Sequence, residues 1–260
     1  MAAIGDLPEE IIVEVLSQVP SWDVVCSCRF VCSQWRDVAD SLNAQWKLKC
    51  KQEAFAMPDC AIQDWKAFYF LSSAKRNLIQ NACGKEGLNF WGIGPHQNDA
   101  WDTGPLSGFP LEHVTSGFGA FSGPDPKSQL ITLKDHGYSD ELMDHIKPAI
   151  VVKDWTDVFD PYIYTLNVQL LSADHQVLCQ CHTENVDVVE DKEEIWSEVS
   201  YTFWNYPSGV RHVLFQHGVS GVDSGSLTNS SVTVGPNFPT LGSRCGGTFQ
   251  GKTDTGIAGK

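Results

Sequence analysis

The sequence predicts an α + β protein in which an N-terminal three-helix unit and a helical linker precede an antiparallel β-sandwich. Apolar residues recur at helical spacing over about the first 75 positions. Beyond Asn77, short segments with apolar alternation are separated by Gly, Pro, Asn and Asp. One helical segment, at 139–146, interrupts them. Many short strands joined by turns are typical of a β-sandwich or a barrel.

The first predicted helix follows Asp6, a good N-cap, and Pro8, whose missing N–H costs nothing in a first turn. The apolar residues that follow at helical spacing are Ile11, Ile12, Val15, Leu16 and Val19. Pro20 ends this run. A second run ends at Trp35 and a third apolar patch begins at Trp46, so the pattern predicts three short helices.

This helical unit carries more apolar side chains than a core of its size uses. Domains this small bury little surface on folding and are marginally stable alone. We therefore predict that a partner polypeptide completes one apolar face of the unit. The alternative is a helical subdomain that packs only on the rest of this chain.

The motif residues of the unit resemble an F-box. They are Leu7-Pro8, Val19-Pro20, Cys28-Arg29-x-Val31-Cys32-x-x-Trp35-Arg36 and Trp46. In that family the F-box is a three-helix module whose apolar face docks on the Skp-type adaptor of a cullin ubiquitin ligase. The resemblance implies a set of adaptor-binding residues that divide between that interface and the core of the module. This set is Leu7, Pro8, Ile11, Leu16, Val19, Pro20, Val31, Cys32 and Trp35.

The remainder of the chain reads as a linker and a series of strands. The strands are predicted at 89–93, 117–121, 129–133, 149–154, 162–171, 177–182, 196–203, 211–216 and 230–234. Alternation is strictest from Tyr162 to Leu170, which is typical of a half-buried strand. In the helical insert, Leu142, Met143 and Ile146 share a face. Pro148 ends that insert.

This second region resembles the F-box-associated domain of the sugar-recognising F-box proteins. The matching motifs include Arg76-Asn77-Leu78-Ile79, Gly137-Tyr138, Lys153-Asp154-Trp155, Gln216-His217-Gly218 and Thr228-Asn229-Ser230-Ser231. The resemblance implies a ten-stranded β-sandwich of the galactose-binding-like jelly-roll type. Several family members bind the high-mannose core of N-linked glycans. The predicted boundaries are 1–50 for the F-box, 51–75 for the linker, 76–236 for the associated domain and 237–260 for a disordered tail.

The loop at 219–227 departs from the sugar-binding members, because it is shorter and holds no aromatic residue. An aromatic ring stacks on the apolar face of a sugar while nearby polar groups fix its hydroxyls. The loop at 156–161 is also shorter. The candidate glycan-binding residues are Phe159, Tyr162, Asp223 and Asn229. For each of them, an ordinary place in a core, a turn or a strand end is the alternative.

Composition excludes several function classes. The net charge of −14 argues against nucleic acid and against an anionic membrane surface, since both need clustered Lys and Arg. No apolar run reaches the ~18–20 residues that span a bilayer, and we identify no signal peptide. Nine cysteines form no framework, so we expect reduced thiols and a cytoplasmic location.

Catalytic and metal motifs are weak. His175, Cys179, Cys181 and His182 have a metal-like spacing, yet no second ligand pair accompanies them. No Gly-x-Ser-x-Gly or Cys–His arrangement supports a nucleophile. We therefore predict no cofactor, no metal and no catalytic residue.

By resemblance, the chain is expected to be the substrate-recognition subunit of an SCF (Skp–cullin–F-box) ubiquitin ligase. It would bind the Skp-type adaptor, and through it a cullin, and would recruit glycoprotein or protein clients for ubiquitination and for proteasomal or ER-associated degradation. Two alternatives stay open. One is the same adaptor role with lost glycan binding and a protein-surface client. The other is a non-ligase carbohydrate-binding scaffold.

Overall fold

The structure is a computed structural model. It describes residues 7–55, 62–94, 100–121, 125–157, 163–184, 196–220, 225–236 and 249–250. The chain divides into two compact units, Met1–Ala74 and Lys75–Lys260. Among the described residues, no helix has both the length and the apolar character that a bilayer crossing requires.

The first unit is helical. Its helices are α1 (Glu9–Gln18), α2 (Ser21–Cys26), α3 (Ser33–Ser41), α4 (Asn43–Gln52) and α5 (Trp65–Ser73), with a 3₁₀ turn at Cys28–Phe30. Pro8 is the N-cap of α1, and its carbonyl accepts from the backbone N–H groups of Ile11 and Ile12. Pro20 is the N-cap of α2. Both prolines therefore stand at helix starts, where their missing N–H groups need no partner.

The second unit is a β-sandwich. Its strands are β1 (Trp101–Pro105), β2 (Ser116–Ala120), β3 (Lys127–Thr132), β4 (Ala149–Thr156), β5 (Ile163–Leu171), β6 (Val177–Glu184), β7 (Ser197–Phe203), β8 (His212–Ser220), β9 (Gly225–Gly235) and β10 (Phe249–Gln250). One sheet has the order β1-β2-β9-β4-β7-β10 and the other β3-β8-β5-β6. Neighbouring strands pair antiparallel.

The core of the sandwich follows the predicted alternation. In β4, Ile150 and Val152 are fully buried, and in β5 the same holds for Leu166 and Val168. Side chains that alternate along a strand point to opposite faces of its sheet. The structure therefore confirms the predicted fold class, a helical N-terminal unit followed by an antiparallel sandwich.

Three segments differ from the sequence-based prediction or add to it. The predicted strand at 89–93 is wrong: Asn89 and Phe90 lie in a turn, and the segment's one pairing is an isolated bridge between Gly92 and Ser128. Strand β1 was not predicted, because its Asp, Gly and Pro residues have low β-propensity and its pairing with β2 overrides them. Within 237–260, the described residues are the two of β10, which pair with β7.

The predicted helical insert is confirmed as the π-type helix Leu142–Ile146, and Asp144 anchors it. The carboxylate of Asp144 accepts from the backbone N–H of Gly209 at 2.7 Å. Arg211 donates to both of its oxygens, at 3.0 and 2.7 Å. These bonds, led by those from Arg211, lower the pKa of Asp144 to about 2 because they favour its charged form.

Replacing Asp144 with asparagine is expected to remove a pH-dependent part of the stability of the sandwich. The folded pKa of about 2 lies below the ordinary value of about 3.9, so the carboxylate stabilises the fold fully above that ordinary value. This contribution is lost as the pH falls from about 4 to about 2. Urea unfolding between pH 2 and pH 7 measures it, and the wild type should lose more stability over that interval than Asp144→Asn.

Asp140→Asn is the matched control for this experiment. The Asp140 carboxylate lies 3.3 Å from Arg211 but its side chain is 54% exposed, so its contribution is screened by solvent. We expect Asp140→Asn to keep the wild-type pH dependence. Equal pH dependence in the wild type and in Asp144→Asn would contradict the prediction.

Candidate functional site

The helical unit closes its own core around Trp46. The core residues are Ile12, Leu16, Val24, Trp35, Val38, Ala39, Leu42 and Trp46. Trp46 is 1% exposed, and its ring centroid lies 5.3 Å from those of Tyr69 and Phe70. Helix α5, which lies in the segment predicted to be a linker, therefore packs onto the core of the helical unit.

The structure divides the predicted adaptor-binding residues between core and surface. Leu16 and Trp35 are 0% and 7% exposed and belong to the core of the helical unit. The half-buried members are Leu7, Val19 and Cys32, and the exposed members are Pro8, Ile11, Pro20 and Val31. The motif resemblance left this division open because the same apolar residue types occur both in a helical core and on an exposed apolar surface.

Large apolar side chains stand exposed on the helical unit. They are Ile11 (45%), Val15 (40%), Phe30 (73%), Val31 (46%) and Leu48 (52%). Ile11 and Val15 are one turn apart on α1 and so share a face. Phe30 and Val31 are neighbours along the chain, so with Ile11 and Val15 they form two exposed apolar pairs. Exposed apolar groups of this kind are candidates for an interaction surface. We refer to Ile11, Val15, Phe30 and Val31 as the docking residues.

Two docking residues, Val15 and Phe30, are absent from the set that the F-box motif predicts. The spacing of four between Ile11 and Val15 would have identified Val15, because residues at that spacing share one face of a helix. No periodic pattern marks Phe30, which ends the 3₁₀ turn Cys28–Phe30. Its exposure became visible only in the structure.

We call the predicted loops at 156–161 and 219–227 the candidate client loops, and the strand ends that border them are paired. In the six-stranded sheet, Thr156 at the end of β4 pairs with Leu227 near the start of β9. In the four-stranded sheet, Ile163 at the start of β5 pairs with Ser220 at the end of β8. Among the predicted glycan-binding residues, Phe159, Tyr162 and Asp223 lie outside the described residues. Asn229 is therefore the one whose position can be reported.

Asn229 lies in a β-bulge of β9. Lys153 pairs with Ser231 and Trp155 pairs with Thr228, so two residues of β9 face the single position of Asp154. Asn229 has a φ of +51°, a left-handed conformation that Asn tolerates better than most residues. The residue is half-buried, and the structure shows only the part that its backbone plays in the bulge. A contact between Asn229 and a ligand stays a prediction.

The ends of β4 and β9 are bound to each other. The backbone N–H of Asp157 donates to the carbonyl of Ser226 at 3.2 Å, and the N–H of Ser226 donates to the Asp157 carboxylate. Burial raises the pKa of Asp157. These bonds fix the backbone where the 156–161 loop begins and where the 219–227 loop ends.

An aromatic cluster, which the sequence did not predict, lies beside these strand ends. The ring of Phe109 is 5.1 Å from that of Trp155 and 5.0 Å from that of Trp196, in edge-to-face arrangements. Phe109 lies in an irregular segment between β1 and β2, so no periodic sequence pattern predicted its place in the cluster. Aromatic rings, an amide and a carboxylate at one end of a sandwich suit ligand binding by shape and hydrogen bonds.

The cysteine and histidine motif of β6 is part of the sandwich. Cys179 and Cys181 pair with Leu170 and Val168, whose side chains are buried, so both thiols share the inward face. Burial raises the pKa of Cys181 to about 12, which keeps its thiol protonated and unreactive at neutral pH. Over the described parts of the chain, no three His, Cys, Asp or Glu residues are placed to hold a metal ion.

Comparisons with known proteins agree with both units. Residues 4–47 match the F-box domain family and residues 69–234 match the F-box associated region. F-box only protein 44 of Mus musculus is 42% identical over 253 residues, which covers 91% of this chain and 98% of the relative. F-box only protein 6 of Homo sapiens is 41% identical over 251 residues, covering 91% of this chain and 85% of the relative. F-box only protein 2 of Bos taurus is 36% identical over 253 residues, covering 90% and 85%. The chain therefore belongs to the F-box only proteins that carry an F-box associated region.

Proposed function

We propose that the chain is the substrate-recognition subunit of an SCF ubiquitin ligase. Proteins with an F-box and an F-box associated region generally serve in this role. The observation that carries the proposal is the exposure of the docking residues on a helical unit whose own core is already filled. An apolar surface of this kind suits the Skp-type adaptor, and through the adaptor a cullin.

In this role the chain performs no chemistry. The helical unit binds the adaptor, and the sandwich holds a client so that its lysines stay close to the conjugating enzyme. Such proximity converts an encounter between free molecules into an effectively intramolecular one. Co-expression with the adaptor tests the proposal: we expect a complex that stays intact through size-exclusion chromatography. A monodisperse free chain that never retains the adaptor would favour the non-ligase scaffold.

The proposed client is a glycoprotein bound through its N-linked glycan in the cytosol and directed to proteasomal or ER-associated degradation. The paired ends of β4 and β9, the bulge at Asn229 and the neighbouring aromatic cluster support a ligand site at this end. The second candidate is a client bound through its protein surface. The absence of an aromatic residue from the 219–227 loop favours it, because a sugar then lacks the stacking ring of that loop.

Titration of the full chain with chitobiose, a neutral disaccharide of N-acetylglucosamine, separates these two client classes. We expect saturable binding with a dissociation constant in the millimolar range or tighter, about −4 kcal/mol or better. Maltose serves as the control sugar, because it has similar size and lacks the N-acetyl groups. If neither sugar binds, the protein-surface client becomes the favoured candidate. The adaptor experiment does not depend on this result.

A further inference from the structure

Lys127, the first residue of β3, is a fully buried lysine inside a box of aromatic rings. Its side chain is 0% exposed. Its Nζ atom lies 4.3 Å from the ring centroid of Trp91, 4.7 Å from that of Trp101 and 4.1 Å from that of Phe118. Aromatic faces attract a cation through the ring quadrupole. The box therefore suits an ammonium group better than a neutral amine.

A series of contacts links Lys127 to Asp154, which is also fully buried. The Nζ atom of Lys127 contacts Nε2 of His217, and Nδ1 of His217 lies 2.5 Å from Oδ2 of Asp154. The hydroxyl of Tyr164 donates to the same oxygen at 2.8 Å, and the hydroxyl of Ser230 donates to Oδ1 at 2.8 Å. Both carboxylate oxygens thus have the partners that a buried charge requires.

The contact between Lys127 and His217 allows three charge arrangements. An ammonium faces a neutral imidazole, a neutral amine faces an imidazolium, or both groups are neutral. The ordinary pKa values, about 10.4 for lysine and about 6.5 for histidine, favour the lysine by roughly four units. Neutral His217 then donates from Nδ1 to Asp154 and accepts at Nε2, which satisfies both ring nitrogens.

Burial acts on both basic groups. It lowers the pKa of Lys127, against the attraction of Asp154. It also lowers the pKa of His217 to about 4, again against Asp154, so the imidazole is neutral at neutral pH. The three ring faces around Nζ and the attraction of Asp154 oppose this lowering at Lys127, and they favour the ammonium over a neutral amine.

These contacts stand at the bases of both candidate client loops. Asp154 lies two residues before Thr156, the last residue of β4, and His217 lies three residues before Ser220, the last residue of β8. Through Ser230, Asp154 also holds the bulge that contains Asn229. The contacts join β3, β5 and β8 of one sheet to β4 and β9 of the other. They therefore fasten the two sheets together at the end where the loops leave.

We propose that Lys127, His217 and Asp154 form a fixed series of buried contacts that positions the end of β4 and the start of β9. We call this series the charge relay, although no proton moves along it. In this relay the positive charge is on Lys127, and a neutral imidazole separates it from the carboxylate. The three are positioning residues, since each is buried and acts through the backbone of the strand ends. The proposal depends on the proposed function only in assuming that the loops bind a client. The charge relay itself can be measured on the chain alone.

Nitrogen NMR of the unmodified full chain at neutral pH tests the charge arrangement. We expect an ammonium signal for Lys127, a protonated Nδ1 for His217 and an unprotonated Nε2. A residue that merely fills the core would give no such combination of signals. An imidazolium at His217, or a neutral amine at Lys127, would overturn the relay.

Amide hydrogen exchange tests the positioning role. Ser230→Ala removes one hydrogen bond to Asp154 and creates little empty space, so the variant is expected to fold. Lys127→Met keeps the apolar stem and removes the charge. In both variants we expect the amide of Ser226 to exchange about tenfold faster, because the ends of β4 and β9 open locally more often. Unchanged exchange in Ser230→Ala overturns the positioning role, even where Lys127→Met fails to fold.

Lys153→Met is the matched control. Lys153 also pairs with a carboxylate, that of Glu198 at 2.9 Å, but its side chain is 43% exposed, so the pair contributes little. Exchange at Ser226 should stay at its wild-type rate in this variant, and an acceleration equal to that of Lys127→Met would also overturn the proposal. Adaptor capture is measured on the same proteins. A wild type that fails to capture the adaptor contradicts the proposed function and leaves the exchange result intact.

Discussion

Aspartate in place of both Ile11 and Val31 is expected to abolish capture of the Skp-type adaptor. Both side chains are nearly half exposed, at 45% and 46%, so the substitutions leave the core of the helical unit intact. In a complex, each new carboxylate would be buried against an apolar surface without a partner, which costs several kcal/mol. A loss of about 3 kcal/mol corresponds to more than a hundredfold in affinity.

Isothermal titration of the purified chain with the adaptor measures this loss, and thermal unfolding shows that the variant is folded. Leu48→Asp is the control, because Leu48 is 52% exposed in the same unit but is on α4, in neither the Ile11–Val15 pair nor the Phe30–Val31 pair. The control should bind as the wild type does. The docking residues are not part of the interface if the double variant binds the adaptor as tightly as the wild type does. The same follows if Leu48→Asp loses as much affinity as the double variant.

Trp46→Ala is expected to unfold the helical unit or to destabilise it by about 3–5 kcal/mol, the range for removing a large buried aromatic side chain. Trp46, on α4, is 1% exposed and packs against the rings of Tyr69 and Phe70 on α5. A unit of this size has only a few kcal/mol of net stability, so the loss is comparable to its entire free energy of unfolding. The sandwich has its own core and should keep its own unfolding transition.

Trp46→Phe tests whether the loss in Trp46→Ala comes from the missing ring. In the described part of the chain, the indole Nε1 of Trp46 is buried without a hydrogen-bond partner. Phenylalanine therefore removes no hydrogen bond and restores most of the ring contact. Differential scanning calorimetry should show two transitions in the wild type, with the helical one lowered far more by Ala than by Phe. Equal effects of the two variants would show that the ring itself contributes little.

Much of the fold could be predicted from the sequence because local pattern and tertiary packing agree there. The spacing from Ile11 to Val19 predicted α1, and the alternation through Leu166 and Val168 predicted β5. The segment 89–93 misled the prediction because its aromatic residues suggest a strand. One of them, Trp91, instead packs its ring over Lys127, and Phe90 has a φ of +72° that no regular strand allows.

The candidate site could be predicted only in part. Motif resemblance predicted a docking surface on the helical unit but could not separate Trp35, which is in the core, from Val31, which is exposed. The burial of Lys127 had no local signal, because a lysine at the start of a strand is usually solvated. The rings around it come from Trp91, Trp101 and Phe118, which only the folded sandwich brings together.

The burial of Lys127 also bears on self-modification. A ligase subunit that stands beside a conjugating enzyme presents its own amines to the activated ubiquitin. Transfer requires a lysine nitrogen to reach the thioester carbon, and Lys127 is 0% exposed behind three rings. An isopeptide bond can form there only after the sandwich opens. Ubiquitin attached at this position would therefore identify copies of the subunit that had lost their fold.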